Sequence, residues 1–138
     1  MKKTLLLNPE LSYLVASLGH FDELTVCDAG LPINAENKRI DLALTHNVPS
    51  FIDTVRVLLT EAHIIGVVLA SEFELDNPTL HHALITLLKS QEIDGHHIEI
   101  KYISHESFKA RTRQSKAVVR TGECTPYANV IFQSGVVF

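Results

Sequence analysis

Two groups suited to moving protons stand close together in LGHFDELTVCDAGLP, residues 18–32. His20 follows Gly19 at the exposed joint behind a helical segment, and histidine is the side chain whose ordinary charge change lies nearest neutral pH. Asp28 follows a short apolar strand, residues 24–27, and precedes Ala29-Gly30 and a proline-set turn. A carboxylate at the end of a strand, followed by glycine, is where open α/β sheets place their chemistry. The stretch reads as a proton-transfer site. Further along, His105 comes just after a strand, and Tyr127-Ala128-Asn129 leads into the last one. His105, Tyr127 and Asn129 carry polar side-chain groups that can donate and accept hydrogen bonds.

The same residues have plain structural readings. His20 suits a helix end, Asp28-Ala29-Gly30 a turn, Tyr127 packing beside Pro126, and His105 the neighbourhood of a helix cap. His81-His82 and His96-His97 are poor metal candidates, because adjacent side chains on a helix or strand point apart, and no metal site is expected. Cys27, at the buried end of a strand, reads as a core thiol. Gly19 and Gly30 form no phosphate loop.

The elements that must position these groups follow from periodicity. Asn8-Pro9 opens a helix with Leu11, Leu14, Val15 and Leu18 on one face, stopped by Gly19. Strands are expected at 24–27, 39–44, 64–70, 97–103, 117–120 and 129–133, and helices at 50–62, after Asp76-Asn77-Pro78, and at 106–113. Residues 64–70 are a continuous run of β-formers, the mark of a strand covered on both faces. About six strands interleaved with about four helices predict an α/β fold. It is a single domain spanning 1–138, three α/β/α layers around a mixed, mostly parallel sheet.

Composition excludes several classes. The chain has 138 residues, 46% of them hydrophobic, which suits one compact core. Twelve Lys and Arg against 16 Asp and Glu give a net charge of -4, which argues against a nucleic-acid partner. Lys109, Arg111, Arg113 and Lys116 read as a solvated helix face. No apolar run is long enough to span a bilayer, so no membrane partner is expected. Cys27 and Cys124 make no disulfide or zinc pattern, which points to a reducing, cytoplasmic location. The apolar Val136-Val137-Phe138 is expected in a core or a subunit contact.

Topology then says which residues meet. Asp28 and His105 each follow a strand, so parallel strands bring both to one carboxyl edge. The connection 123–129 is too short for a crossover helix, so the last strand runs antiparallel to its predecessor and holds Tyr127 and Asn129 at that edge. His20 precedes its strand and lies at the opposite edge. A site using both His20 and Asp28 is therefore expected at a subunit interface.

Four stretches carry a family likeness: LGHFDELTVCDAGLP at 18–32, RIDLAL at 39–44, VPSF at 48–51 and RTGECTPYANVI at 120–131. On these the chain resembles the D-ribose pyranases, sugar mutarotases related to the fucose mutarotases. The resemblance implies a cofactor-free isomerase that interconverts the pyranose and furanose forms of ribose. It makes His20 the proton donor, and Asp28, His105, Tyr127, Ala128 and Asn129 the residues holding the sugar. It also implies a homodecamer of two pentameric rings. Asn34 and Asn47 stand where the family pattern often has proline and glycine, and asparagine tolerates positive φ, so the turns should survive.

Opening a cyclic hemiacetal takes one proton off the anomeric hydroxyl and puts one on the ring oxygen, and a positioned acid and base speed this typically 10²- to 10⁴-fold. Two other classes remain open at this point: a non-catalytic sugar-binding or regulatory module, and a structural ring protein. A mutarotase for fucose is the alternative within the enzyme class.

Overall fold

The structure is a computed structural model and describes residues 1–138. In chain order the strands are β1 (Glu23–Cys27), β2 (Arg39–Asp41), β3 (Ile64–Ala70), β4 (Glu99–Ile103), β5 (Val118–Arg120) and β6 (Val130–Ser134). The helices are α1 (Pro9–Ser17), α2 (Phe51–Leu58), α3 (Ser71–Asp76), α4 (Pro78–Ser90) and α5 (His105–Arg111), the last followed by a 3-10 turn, Thr112–Gln114.

Six strands form one sheet in the order β2-β5-β1-β6-β3-β4. The pairs β2·β5, β5·β1 and β3·β4 are parallel, and β6 runs antiparallel to both its neighbours, β1 and β3. The mixed, mostly parallel α/β sheet expected from the sequence is therefore present. β6 is antiparallel to β5 in direction, but β1 lies between them.

Alternation along the strands divides the core in two. Val26, Val67, Leu69, Val119, Val130 and Phe132 face one side, where they join Leu11 and Leu14 of α1, Phe51, Val55 and Leu58 of α2, Phe73 of α3, and Leu84 and Leu88 of α4. Their neighbours Cys27, Val68, Ala70, Val118 and Ile131 face the other side, against Phe108 of α5 and Leu31. Side chains that alternate between two covered faces produce three layers. β1 is buried at every position and β3 at all but Ile65, as expected for strands covered on both faces.

Local signals explain most boundaries. Asn8 Oδ1 accepts the Leu11 N–H at 3.0 Å and Pro9 occupies the first helical position. Ser50 Oγ accepts the Asp53 N–H at 3.2 Å at the head of α2, and Ser104 Oγ accepts the Ser107 N–H at 3.2 Å at the head of α5.

Other expectations need correction. α3 has no counterpart in the sequence reading, because six residues carry too little periodicity to register. Asn77 precedes α4 as expected, but its side chain makes no capping bond. β2 ends at Asp41 rather than Leu44, because the chain turns into a tight hairpin bridged from Thr45 to Val48. α2 ends at Leu58 rather than Ala62. Arg111 does not lie on a freely solvated face: its guanidinium donates to Glu23 Oε1 at 2.6 Å, which compensates a carboxylate that is largely buried. The terminal Val137 and Phe138 are exposed, not tucked into this chain's core. Asn47 takes φ +61°, the turn conformation that asparagine was expected to tolerate. No helix is long and apolar enough to cross a membrane.

Candidate functional site at the carboxyl edge of the sheet

The antiparallel insertion of β6 determines which residues meet. Val26 pairs with Val130 and Leu24 with Phe132. One step further, the register sets Cys27 opposite Asn129, so Asn129 enters the sheet beside the residue where β1 gives out into Asp28. The Asp28 N–H donates to Asn129 Oδ1 at 2.9 Å, and Asn129 Nδ2 donates back to Asp28 Oδ2 at 3.0 Å. The Gly30 N–H donates to Asp28 Oδ1 at 2.9 Å, the turn bond that an Asp two residues ahead of a glycine makes. Both carboxylate oxygens are thus oriented, and each keeps acceptor capacity.

Burial pushes the Asp28 carboxyl above its ordinary value of 3.8, opposed by the hydrogen bonds from Gly30 and Asn129 and by the nearby His105. Burial and the adjacent Asp28 charge raise the Cys27 thiol to about 12, so it stays protonated and acts as packing, as expected.

Tyr127 sits at φ +58°, and its carbonyl accepts the Asn129 N–H at 2.8 Å. Its ring meets the His105 ring edge-on, centroids 5.0 Å apart at 82°. The His105 ring also lies parallel to that of Phe108, centroids 6.5 Å apart at 9°. The His105 backbone N–H donates to Glu72 Oε2 at 3.0 Å, and the ring Nδ1 is buried without a hydrogen-bond partner. Ala128, fully buried, spaces Tyr127 from Asn129. An open depression of about 460 Å³ adjoins this cluster, lined by Asp28, Ala29, Gly30, Glu123, Cys124, Thr125 and Pro126.

The structure therefore brings Asp28, His105, Tyr127, Ala128 and Asn129 to one edge. It does not bring His20 there. His20 is exposed at the amino end of β1, where the Phe21 N–H donates to Ser134 O and the Ser134 N–H to Asp22 O, both at 2.8 Å. The five residues of β1 hold the two groups about 16 Å apart along the strand.

Sequence reasoning missed Glu123 and Asn77. Glu123 is largely buried, its Oε2 accepting the Phe51 N–H at 3.0 Å and its Oε1 the Thr125 hydroxyl at 2.8 Å. A carboxylate between Gly122 and Cys124, inside a motif already singled out, was the available signal. Asn77 was read only as a helix cap. No group of three or more His, Cys, Asp or Glu side chains is arranged to hold a metal ion.

A half-buried carboxylate with free acceptor capacity, a carboxamide locked to it, an imidazole and an aromatic wall define a site suited to a small ligand rich in hydroxyl groups. The chain belongs to the RbsD / FucU transport protein family, whose family model matches residues 1–137. It is 72% identical to the D-ribose pyranase of Psychromonas ingrahamii over the full length of both chains. Among solved structures it is similar to Bacillus subtilis RbsD complexed with D-ribose, with a TM-score of 0.91, 43% identity and complete coverage of both chains. The fucose mutarotase of Streptococcus pneumoniae, solved in complex with L-fucose, also covers both chains completely at a TM-score of 0.82, with 24% identity, which is a likeness of fold.

Proposed function

We infer that this chain is a D-ribose pyranase, an isomerase that opens the pyranose ring of ribose and recloses it as the furanose by general acid–base chemistry. The observation that carries the reading is full-length identity of 72% to a D-ribose pyranase, joined to 43% identity with a protein solved with D-ribose. The fucose alternative has only a likeness of fold behind it.

In this reading Asp28 and Asn129 bind sugar hydroxyls, His105 adds a third polar contact, and Tyr127 stacks against the apolar face of the ring. His20 exchanges the protons, protonating the ring oxygen as the anomeric hydroxyl loses its proton, and the reverse on closure through a different hydroxyl. The proton count balances over opening and closure, so the chemistry asks for no redox or metal partner.

Since His20 and Asp28 stand at opposite ends of β1, the His20 that serves a given sugar comes from a neighbouring copy. Exposed Phe21, beside His20, and exposed Tyr13, Leu44, Leu75 and Phe138 support self-association. The decamer of two pentameric rings is the assembly that the family likeness favours. The unpaired thiols Cys27 and Cys124 favour the cytoplasm.

The deciding experiment is NMR magnetisation exchange between ribose pyranose and furanose signals with catalytic amounts of protein. Faster exchange that is lost in His20→Ala supports the enzyme. Ribose binding without faster exchange would replace it with the sugar-binding module.

A further inference from the structure

Asn77 occupies the corner between α3 and α4, with Pro78 at the first position of α4. Asparagine is among the best N-cap residues, yet this side chain leaves the helix uncapped. Its Nδ2 donates to Thr125 Oγ1 and to Pro126 O, each at 2.9 Å. Both acceptors lie in the segment that delivers Tyr127. The Thr125 hydroxyl donates in turn to Glu123, whose other carboxylate oxygen accepts the first N–H of α2. The loop is thus suspended between the amino ends of two helices, through Asn77 on one side and Glu123 on the other.

What the suspension holds is a backbone that would not hold itself. Tyr127 is in the left-handed region, which bulky residues rarely adopt and which persists only where the surroundings over-determine it. The Tyr127 carbonyl receives the Asn129 N–H, so a shift at 125–127 is passed to the partner of Asp28.

We propose that Asn77 is a positioning residue for substrate: it gives up its helix cap to fix Thr125 and Pro126, and through them the placement of Tyr127 and Asn129 against the sugar. The proposal rests on the ribose reading of the same site. A merely structural role is distinguishable from it, because Asn77 has two possible employments and one substitution separates them. Asn77→Asp caps a helix as well as asparagine does and favours the helix amino end electrostatically. It has no N–H to give Thr125 or Pro126.

The test compares wild type, Asn77→Asp and Asn77→Ser, serine being a second good cap too short to replace the amide. Thermal unfolding, ribose exchange kinetics and backbone amide hydrogen exchange are measured on each full chain. The expected result is an unfolding temperature within about 5 °C of wild type, the cap gained offsetting the bonds lost, and a KM for ribose raised about tenfold, the scale of two lost hydrogen bonds. The value of kcat should stay within about threefold of wild type, since the proton-transfer groups are untouched, and the Asn129 amide should exchange faster. An unchanged KM in the folded variants overturns the proposal, as does a failure of both to fold. If wild-type protein neither binds nor isomerises ribose, the ribose reading fails on its own. Unchanged protection of the Asn129 amide in Asn77→Asp would then overturn the positioning role.

Discussion

Asn129 and Asp28, 101 residues apart in the chain, bind each other twice, amide to carboxylate at 3.0 Å and backbone N–H to carboxamide at 2.9 Å. The reciprocal pair fixes both the Asp28 carboxylate and the rotamer of Asn129. It arises because β6 runs antiparallel beside β1, so the start of one strand meets the end of the other. An all-parallel sheet would have put the segment before β6 at the opposite edge.

The first prediction concerns acid. Ionised Asp28 accepts hydrogen bonds from sugar hydroxyls, and protonation removes that capacity. Burial raises its titration above 3.8, so ribose affinity should fall on the acid side with a midpoint above that of an exposed aspartate. Asp28→Asn should weaken binding on the order of ten- to hundredfold, the loss of charge-assisted hydrogen bonds, and flatten that acid limb. Titration calorimetry from pH 4 to 8 measures both. An acid limb that persists in the variant would assign it to another group.

A second prediction tests the shared site. Asp28→Asn subunits keep His20, and His20→Ala subunits keep Asp28, so at ribose concentrations far below the raised Kd of Asp28→Asn each variant alone should show little or no ribose exchange. Refolded together at equal ratio, they should recover about a quarter of wild-type activity, the share of sites in a random closed oligomer that receive both intact residues. No recovery in verified mixed oligomers would place each site within one subunit.

Much of this architecture was legible in the sequence because its signals are local. Residues 64–70 announce β3 through an unbroken apolar run rich in β-branched residues, and Asn8-Pro9 announces α1 through cap chemistry. Asp28, His105 and Asn129 could be assigned to one edge from strand direction and connection length alone. Contacts made by long-range register were not legible. Glu123 earns its burial from an N–H of α2 that lies 72 residues away, and Asn77 spends its amide on a loop 48 residues away. The end of β2 at Asp41 hid in the apolar residues 42–44, which propensity reads as strand. No local pattern encodes these partners.

Close backbone approach yields a third prediction. Gly122 packs where a Cβ would meet Thr45 O and Val48 O at 2.5 Å and Val48 N at 2.7 Å. All three are backbone atoms, and the Asn47 N–H donates to Gly122 O at 2.6 Å on the same contact. Gly122→Ala must push the hairpin at 45–48 away from the site loop, at a cost of about 2–4 kcal/mol. Urea unfolding measures it, and a loss under about 1 kcal/mol would mean that the hairpin yields freely.

The last prediction comes from a histidine outside the site. His81 of α4 is largely buried, its Nε2 lies 2.8 Å from the Tyr102 hydroxyl of β4, and its ring meets Phe73 of α3 edge-on. Burial lowers its titration below the ordinary 6.5, with the charge of Glu74 opposing and that of His82 assisting. The unfolded chain therefore takes up this proton at higher pH than the folded one. Between the two values the unfolded state holds more protons, so stability is full above about 6.5 and falls as pH drops toward the folded value. The slope is limited to about 1.4 kcal/mol per pH unit for one proton. In the tautomer with Nε2 unprotonated the imidazole accepts the Tyr102 hydroxyl, and protonation turns that acceptor into a donor, so the contact weakens in the same direction. His81→Gln keeps an acceptor for Tyr102 and cannot titrate. Urea midpoints at pH 7.5 and 5.5 should fall clearly in wild type and less in the variant, whereas equal falls in both would place the acid sensitivity elsewhere.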